Sequence, residues 1–429
     1  MGAIFVASPA MRRSNPPGKD GPEGNSMKKL IFVNRYFYPD HSATSQMLSD
    51  LAFGLAKKGD CEIHVVTSRQ RYDNPMAGLS PRETVDGVEI HRTWTSTFGR
   101  NNLIGRAFDY LGFYLTAFGK LLVLADRHTV IVAKTDPPLI SVVAAVAARI
   151  KSATLINWVQ DLFPEVAAAL GVPLAKGPLF GLLRGLRNFS LKAARINVAI
   201  GDLMRQRLRD EGIPADRIRV VHNWADGEQI RPILPEANPL RKEWGLDGKF
   251  VVGYSGNLGR SHEFGTILEA AAALRGRLDI VFLMIGGGAN LPGVQKEVAA
   301  KGLRNIVFKP YQPRERLAES LSASDAHLVS LRPELEGLIV PSKFYGIAAA
   351  GRPVLFIGSP KGEIAGIVAK SFCGYSVALG DGAGLKEKIS QMADHPELRH
   401  AMGHAALSEF RALFSFPAAL THWETVLAS

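Results

Sequence analysis

The sequence predicts an α/β protein of two doubly wound, parallel-sheet (Rossmann-like) domains that face each other across a cleft. Three observations carry that prediction. Short apolar runs alternate with amphipathic or Ala-rich segments along nearly the whole chain, the pattern of parallel sheets covered by helices on both faces. The alternation is interrupted near the middle by a looser, Pro-containing stretch, "NWADGEQIRPILPEANPLRKEWGL". The length of 429 residues, 46% hydrophobic and 21% charged, suits a soluble globular chain but exceeds one ordinary domain.

Taken in order, residues 1–26, "MGAIFVASPAMRRSNPPGKDGPEGNS", read as a disordered tail. They run into Pro, Gly, Asn and Ser and lack the long apolar core of a signal peptide. Met27 is a candidate start of the folded sequence. The first domain, 27–230, holds the strands "KLIFVN" (29–34), "EIHVVT" (62–67), "VEIHRT" (88–93), "TVIVAK" (129–134), "TLINWV" (154–159), "RINVAI" (195–200) and "RIRVVH" (217–222). Helical segments such as "SQMLSDLAFGLAKKG" (45–59) separate most of them. The second domain, 231–410, repeats the pattern with strands at 250–255, 279–286, 305–310, 326–331, 353–358 and 374–379. Residues 411–429 are expected to form a helix returning toward the first domain. In such a fold, ligands bind at the carboxyl ends of the strands, and a cleft between domains is a favoured pocket.

Composition bounds the function. No run of 18 apolar residues is free of charge, so no transmembrane helix is expected. Cys61 and Cys373 lack a second Cys or a His at metal-ligand spacing, and so few cysteines fit a reducing cytosol. The net charge of +11 is uneven: residues 27–230 carry +7, residues 231–429 +3 and the tail +1. An anionic partner on the first half, or simply a solvated basic surface, would account for it.

One short segment poses a question. In "VPSKFYGIAAAGRPVL" (340–355), Lys343 follows Pro341 and Ser342 where a helix should begin. A cation in a first helical turn opposes the dipole at a cost of about 0.3–1 kcal/mol. Upstream, "SGNLGRSH" (255–262) lies between a strand and a helix, and its Gly256 and Gly259 would let backbone approach a phosphate closely.

Together with "VVGYSGNLGRSHEFGTILEAA", "VFLMIGGGANLPGVQKEVAAKGLRNIVFKPYQPRERLAESLSASDAHLVSL", "LIFVNRYFYPDHSATSQMLSDLAFGLAKKG" and "AKTDPPLISVVAAVAARI" with "NWVQDLFPEVAAALG", this segment resembles the family-4 glycosyltransferases of GT-B fold. The last two pieces are similar to a subgroup that builds bacterial colanic acid, O-antigen and related capsules. The resemblance covers nearly everything from Met27 onward. It implies a hexosyl- or N-acetylhexosaminyl-transferase that takes a nucleotide-sugar donor, UDP-sugars favoured, retains anomeric configuration and needs no cofactor. It also implies a polyprenyl-diphosphate-linked saccharide as acceptor.

The resemblance assigns roles to residues. Lys343 and the helix start at Pro341 and Ser342 would hold the donor diphosphate, an anion site with a sound physical basis; the other reading is a surface lysine on a helix that only packs. Family positions that often carry an arginine and a lysine fall on Asn257 and His262, which leaves Arg260, between them, as the substitute cation. "IGGGAN" (285–290) fits a tight turn near the donor. "FKPYQP" (308–313), with Lys309 and Tyr311, falls where the family cradles the base; Tyr311 would stack there or pack on a proline. The family's two glutamates fall on Leu338 and Gly346, so neither is present in strict register, and Glu334 or Glu336 would serve through a shifted loop. Glu363 is a candidate for a donor hydroxyl or a surface helix start.

In the first domain, Asp161 follows Gln160 where relatives place a histidine–acidic pair. A carboxylate there would accept a proton from the acceptor hydroxyl, or the residue is an ordinary cap. Glu165, Ser42 and Thr44 join it on the acceptor side. No Asp-x-Asp occurs, so no metal is expected on the diphosphate, and cations with helix dipoles would stabilise the leaving group.

"FGRNNLIGRAFDYLGFYLTAFGKLLVLA" (98–125), with Arg100, Arg106 and Lys120, and "KGPLFGLLRGLRNFSLKAAR" (176–195) are apolar segments with interspersed bases. They would lie on an anionic membrane surface or pack in the core. The expected location is cytoplasmic, peripheral on the inner face of the plasma membrane. A GT-B-shaped nucleotide-sugar epimerase would need neither acceptor nor membrane. A non-catalytic nucleotide- or nucleic-acid-binding module would bind RNA or DNA in a salt-sensitive way, but no aromatic–basic motif is visible, and no nucleic acid is expected as a partner.

Overall fold

The computed structural model describes residues 28–40, 42–72, 74, 76, 78–98, 103–172 and 177–429. The expected tail, and Arg100 and Lys176 of the basic apolar segments, lie outside the described residues.

Two sheets organise the chain. The first contains β1 (Lys28–Val33), β2 (Cys61–Ser68), β3 (Arg82–Val85), β4 (Val88–Thr93), β5 (Val130–Ala133), β6 (Thr154–Val159), β7 (Ile196–Ala199) and β8 (Ile218–Val220). Their order is β3-β4-β2-β1-β5-β6-β7-β8, and every adjacent pair is parallel except β3 with β4. The second contains β9 (Phe250–Ser255), β10 (Ile280–Ile285), β11 (Ile306–Lys309), β12 (Ala326–Ser330), β13 (Val354–Ile357) and β14 (Gly374–Val377). It is all parallel, in the order β11-β10-β9-β12-β13-β14.

Burial on both faces explains the unbroken apolar runs. On β1, Leu30 and Phe32 pack against Leu48, Leu51 and Leu55 of helix Ala43–Lys58. Ile31 and Val33 turn the other way, to Phe113, Ala117 and Leu121 of helix Leu103–Leu124 and to Ala144 and Ala148 of helix Ile140–Lys151. The strand absent from the sequence reading is β3. Asp86 (φ 46°) and Gly87 (φ 81°) form a two-residue turn of the kind that joins twisted antiparallel strands, so "RETV" folds back on β4.

Helix Phe416–Ala428 crosses back to the first domain. Phe416 packs on Gly54, Trp423 meets Trp158 edge-on at 4.8 Å, and Lys58 pairs with Glu424. Trp224, in the connection between the domains, stacks on Trp158 at 5.6 Å and donates its indole N–H to Asp50 at 3.1 Å. Strand order reverses between β1 and β5 in the first sheet and between β9 and β12 in the second. The loops leaving β1 and β9 therefore border a crevice at the carboxyl ends of both sheets, where doubly wound folds bind ligands.

Candidate functional site

The loop leaving β9 and the loop leaving β10 are knitted together. Leu258 N–H donates to Gly287 O at 2.7 Å, Asn290 N–H to Leu258 O at 2.9 Å, and the Asn290 side-chain amide to Gly259 O at 3.0 Å. The fit depends on glycine at position 286, where φ is 134° and a Cβ would come within 2.1 Å of Gly256 O. Tyr311 lies over this loop, its hydroxyl donating to Gly287 O at 3.3 Å. It covers the glycines of this loop.

Lys343 opens helix Lys343–Ala349 and reaches toward Gly256, whose φ is 126°. A Cβ on Gly256 would lie 3.9 Å from the Lys343 Nζ. The ammonium donates to the Tyr254 hydroxyl, sits 3.8 Å from the centre of the Tyr254 ring, and is 3.5 Å from His262 Nε2. Among the described residues, no carboxylate lies within 4.0 Å of it. Burial without a counter-ion pushes Lys343 down to about 7. His262 faces the Ser330 carbonyl through Nδ1, and burial together with Lys343 drives it down to about 3, so it is neutral beside the lysine. A desolvated cation with no anion of its own, beside a glycine loop, is a site built to receive one.

The helix start contributes less than the sequence suggests. Phe344 N–H donates to Pro341 O and Tyr345 N–H to Ser342 O, so these amides are already used within the turn. Arg260 and Asn257 are exposed at the rim of the glycine loop. Lys309 ends the outer strand β11 and places its ammonium over Trp244, 5.4 Å from the ring centre, instead of among the neighbours of Lys343.

Glu363 requires correction, and Glu336 lies buried beside it. Glu363 is buried rather than at a surface helix start. Its two carboxylate oxygens accept Asp202 N–H at 2.9 Å and Leu203 N–H at 2.8 Å, capping helix Asp202–Asp210 of the opposite domain. Glu336 accepts Glu363 N–H at 3.2 Å and is buried in the same seam, which raises its carboxyl to about 7. Glu334 is exposed and pairs with Arg332.

Across the cleft, Asp161 lies just past the end of β6. It is open to cleft water but walled by both domains, and desolvation raises it to about 6 while Lys134 pulls the other way. Ser42 precedes helix Ala43–Lys58 without a side-chain capping bond. Thr44 offers its carbonyl to Lys134 Nζ at 2.7 Å. Glu165 is tied to Arg187 at 2.8 Å beneath the cleft.

Lys134 is the residue that the sequence reading passed over. It is 1% exposed, follows β5, and holds its ammonium 3.7 Å from the Trp158 ring centre. Burial lowers its pKa well below the usual range, with Asp50, Asp161 and Asp136 opposing. The signal was a lone cation ending the apolar run "TVIVAK" at the switch point.

For metals, the described residues offer one cluster, His64, Glu89 and His91 on β2 and β4. Its ligand atoms are already engaged. His64 Nδ1 meets His91 Nε2 at 3.1 Å, His64 Nε2 meets Glu62 at 2.8 Å, and Glu89 accepts from Arg82 at 2.8 Å. The group is a hydrogen-bonded chain rather than a set of converging lone pairs.

Comparison with known proteins bears on the family and the fold. Residues 43–224 match the model of the glycosyl transferase 4-like domain, and residues 237–408 that of glycosyl transferases group 1. WbjE of Pseudomonas aeruginosa, assigned as a glycosyltransferase, is 26% identical over 297 residues, 69% of this chain and 74% of the relative. WcaI of Escherichia coli, assigned as a glycosyl transferase of colanic acid biosynthesis, is 27% identical over 238 residues, 54% of this chain and 58% of the relative. Among solved structures, Anabaena HepE in complex with UDP superposes with a TM-score of 0.68 at 15% identity. That match covers 93% of this chain and 99% of HepE, and it speaks to the fold.

Proposed function

Because the chain belongs to the glycosyltransferases of GT-B fold that serve polysaccharide biosynthesis, we propose that it moves a sugar from a nucleoside-diphosphate donor to a lipid-diphosphate-linked saccharide. The observation that carries the donor half is the unpaired Lys343 ammonium beside Gly256. A diphosphate supplies the missing anion, and a charge-assisted hydrogen bond replaces the desolvation penalty. UDP-sugars are the donors that the family resemblance favours, and HepE, which shares the fold, is a UDP complex.

In the reaction, the bond from the anomeric carbon to the diphosphate breaks and a bond to the acceptor oxygen forms on the same face. Lys343, with Arg260 at the rim, faces the negative charge that grows on the leaving diphosphate, and no metal is required. Asp161 takes or orients the acceptor proton. Its carboxyl, raised to about 6, is deprotonated at neutral pH and basic enough for that role.

The acceptor half rests on the surface of the first domain. Three helices in contact carry exposed apolar side chains: Leu115 (65%) and Val123 (77%) on Leu103–Leu124, Ile150 (59%) on Ile140–Lys151, and Leu182 (60%) on Gly177–Ala193. Segment Gly105–Leu124 is, by length and composition alone, apolar enough to cross a membrane, but Phe113, Ala117 and Leu121 anchor one side of it in the core. A helix fixed on a sheet lies along the membrane plane, and nearby bases such as Lys192 and Arg195 favour anionic lipid. The chain would then work peripherally on the inner face of the plasma membrane.

The experiment is a panel of UDP-, GDP- and dTDP-sugars scored by thermal stabilisation. One nucleotide class should raise the melting temperature while the others leave it unchanged. No stabilisation by any of them would defeat the donor assignment.

A further inference from the structure

A cavity of about 360 Å³ opens beside Asp161 and Ser261 and runs into the first domain, below the carboxyl ends of β5 and β6. Its walls are largely apolar: Leu139, Leu162, Phe163, Val166, Leu170 and Leu191. It lies under helix Gly177–Ala193, which lends Arg187 and Leu191 to the cavity and exposes Leu182, Leu186 and Phe189 on its outer side. One helix therefore separates the cavity from the apolar surface of the domain.

The lining residues also hold polar atoms without partners. Thr135 Oγ1, Arg187 Nη1 and Asn157 Oδ1 are buried and make no hydrogen bond among the described residues. Arg187 is 5% exposed. Unsatisfied buried groups are costly, so native proteins leave few of them without a reason. Two of the three can donate, which suits the oxygens of an anionic or oxygen-rich ligand. Apolar walls combined with idle donors describe an amphiphile.

Resting on the glycosyl-transfer reading above, we infer that this cavity receives the isoprenoid–phosphate junction of the acceptor. The first isoprene units would fill the apolar walls while phosphate oxygens meet the idle donors, leaving the saccharide at Asp161 and Ser261, between the domains. The volume is at the small end of ligand cavities, roughly 300–1,000 Å³. It admits the start of a chain, and the remainder passes out beside helix Gly177–Ala193 toward the lipid surface.

The test uses the full chain and isoprenyl diphosphates of one, two and three units, with inorganic diphosphate as the chain-free control. Binding is measured calorimetrically with UDP saturating, so that the donor site is occupied. Each buried methylene is worth roughly fourfold in affinity, so affinity should climb steeply with the first units and level off as the cavity fills. Ala167→Trp, which fills the cavity, should flatten the chain-length dependence, whereas Leu170→Ala, which enlarges it, should move the plateau to longer chains. Affinity independent of chain length would overturn the inference. So would a dependence that survives Ala167→Trp but disappears in Leu182→Asp, because binding would then belong to the outer surface. UDP binding by the unmodified chain is measured first, in a separate titration without isoprenyl diphosphate. If it is absent, the glycosyl-transfer reading fails; if it is present with no chain-length effect, only the cavity assignment fails.

Discussion

Replacing Lys343 by alanine tests the donor site with both a magnitude and a sign. In the free protein the ammonium has Tyr254 and neutral His262 as neighbours and no counter-ion among the described residues, and burial has brought it down to about 7 from its ordinary 10.5. A diphosphate would restore the charged state. A charge-assisted hydrogen bond contributes roughly 1.5–3 kcal/mol, so Lys343→Ala should weaken UDP binding by about 10- to 100-fold. Lys343→Arg should recover only part, because a planar fork does not copy a compact ammonium. The pH dependence follows from the same shift. Below about pH 7 the lysine is already charged, and affinity is flat. Above it, the complex keeps a proton that the free protein has lost, so affinity falls with rising pH and binding takes up about one proton. The alanine variant should lose this dependence. Stability moves in the opposite direction. A lysine depressed in the fold costs stability below its folded pKa, and the cost fades as pH rises from about 7 toward 10.5. The unliganded variant should therefore melt no lower than the parent at acidic pH. Calorimetry in buffers of different ionisation enthalpy, beside melting curves, reads all three effects. Unchanged affinity with a lowered melting temperature would show that Lys343 serves Tyr254 and the fold, and the reasoning would be refuted.

Four further outcomes are expected. Asp161→Asn should lower kcat while sparing UDP affinity, and the parent's rate should fall below about pH 6 as the carboxyl protonates; Lys134→Met should move that limb upward by removing the opposing cation. Transfer should persist in excess EDTA, and activity that returned only with added magnesium or manganese would sink the metal-free reading. The chain should bind anionic vesicles in a salt-sensitive manner, and Leu182→Asp with Leu186→Asp should weaken binding; equal, negligible binding to neutral and anionic vesicles would remove the membrane proposal. Glu363→Ala uncaps helix Asp202–Asp210 and should cost about 0.5–2 kcal/mol of stability with little change in UDP affinity. An unaffected melting temperature would show the cap to be idle.

The architecture was legible because both sheets bury two faces, which leaves uninterrupted apolar strands such as "KLIFVN" and "FVVGYS" between helices. Strand β3 escaped because it is short, polar and at the sheet edge, although Asp86–Gly87 is a recognisable hairpin signal. The Lys343 group was legible as a motif, but its depth was not: nothing in "PSKFYG" reveals that Tyr254 and His262, far away in sequence, surround the amine and that no carboxylate does. Glu363 misled for a related reason. A glutamate at a helix start usually faces solvent or its own amides, whereas here a different helix, from the other domain, takes both oxygens. Lys134 was hidden by its strand, since a cation ending an apolar run gives no hint that Trp158 and the Thr44 carbonyl will bury it.

The most direct measurement is a crystal structure of the chain with an intact UDP-sugar bound. The diphosphate should lie in the cleft, with one oxygen within about 3.2 Å of the Lys343 Nζ, the glycine loop at Gly256 against the phosphates, and the anomeric carbon facing Asp161. A nucleotide bound elsewhere, or a diphosphate held by a metal with Lys343 still pointing at Tyr254 alone, would contradict the account.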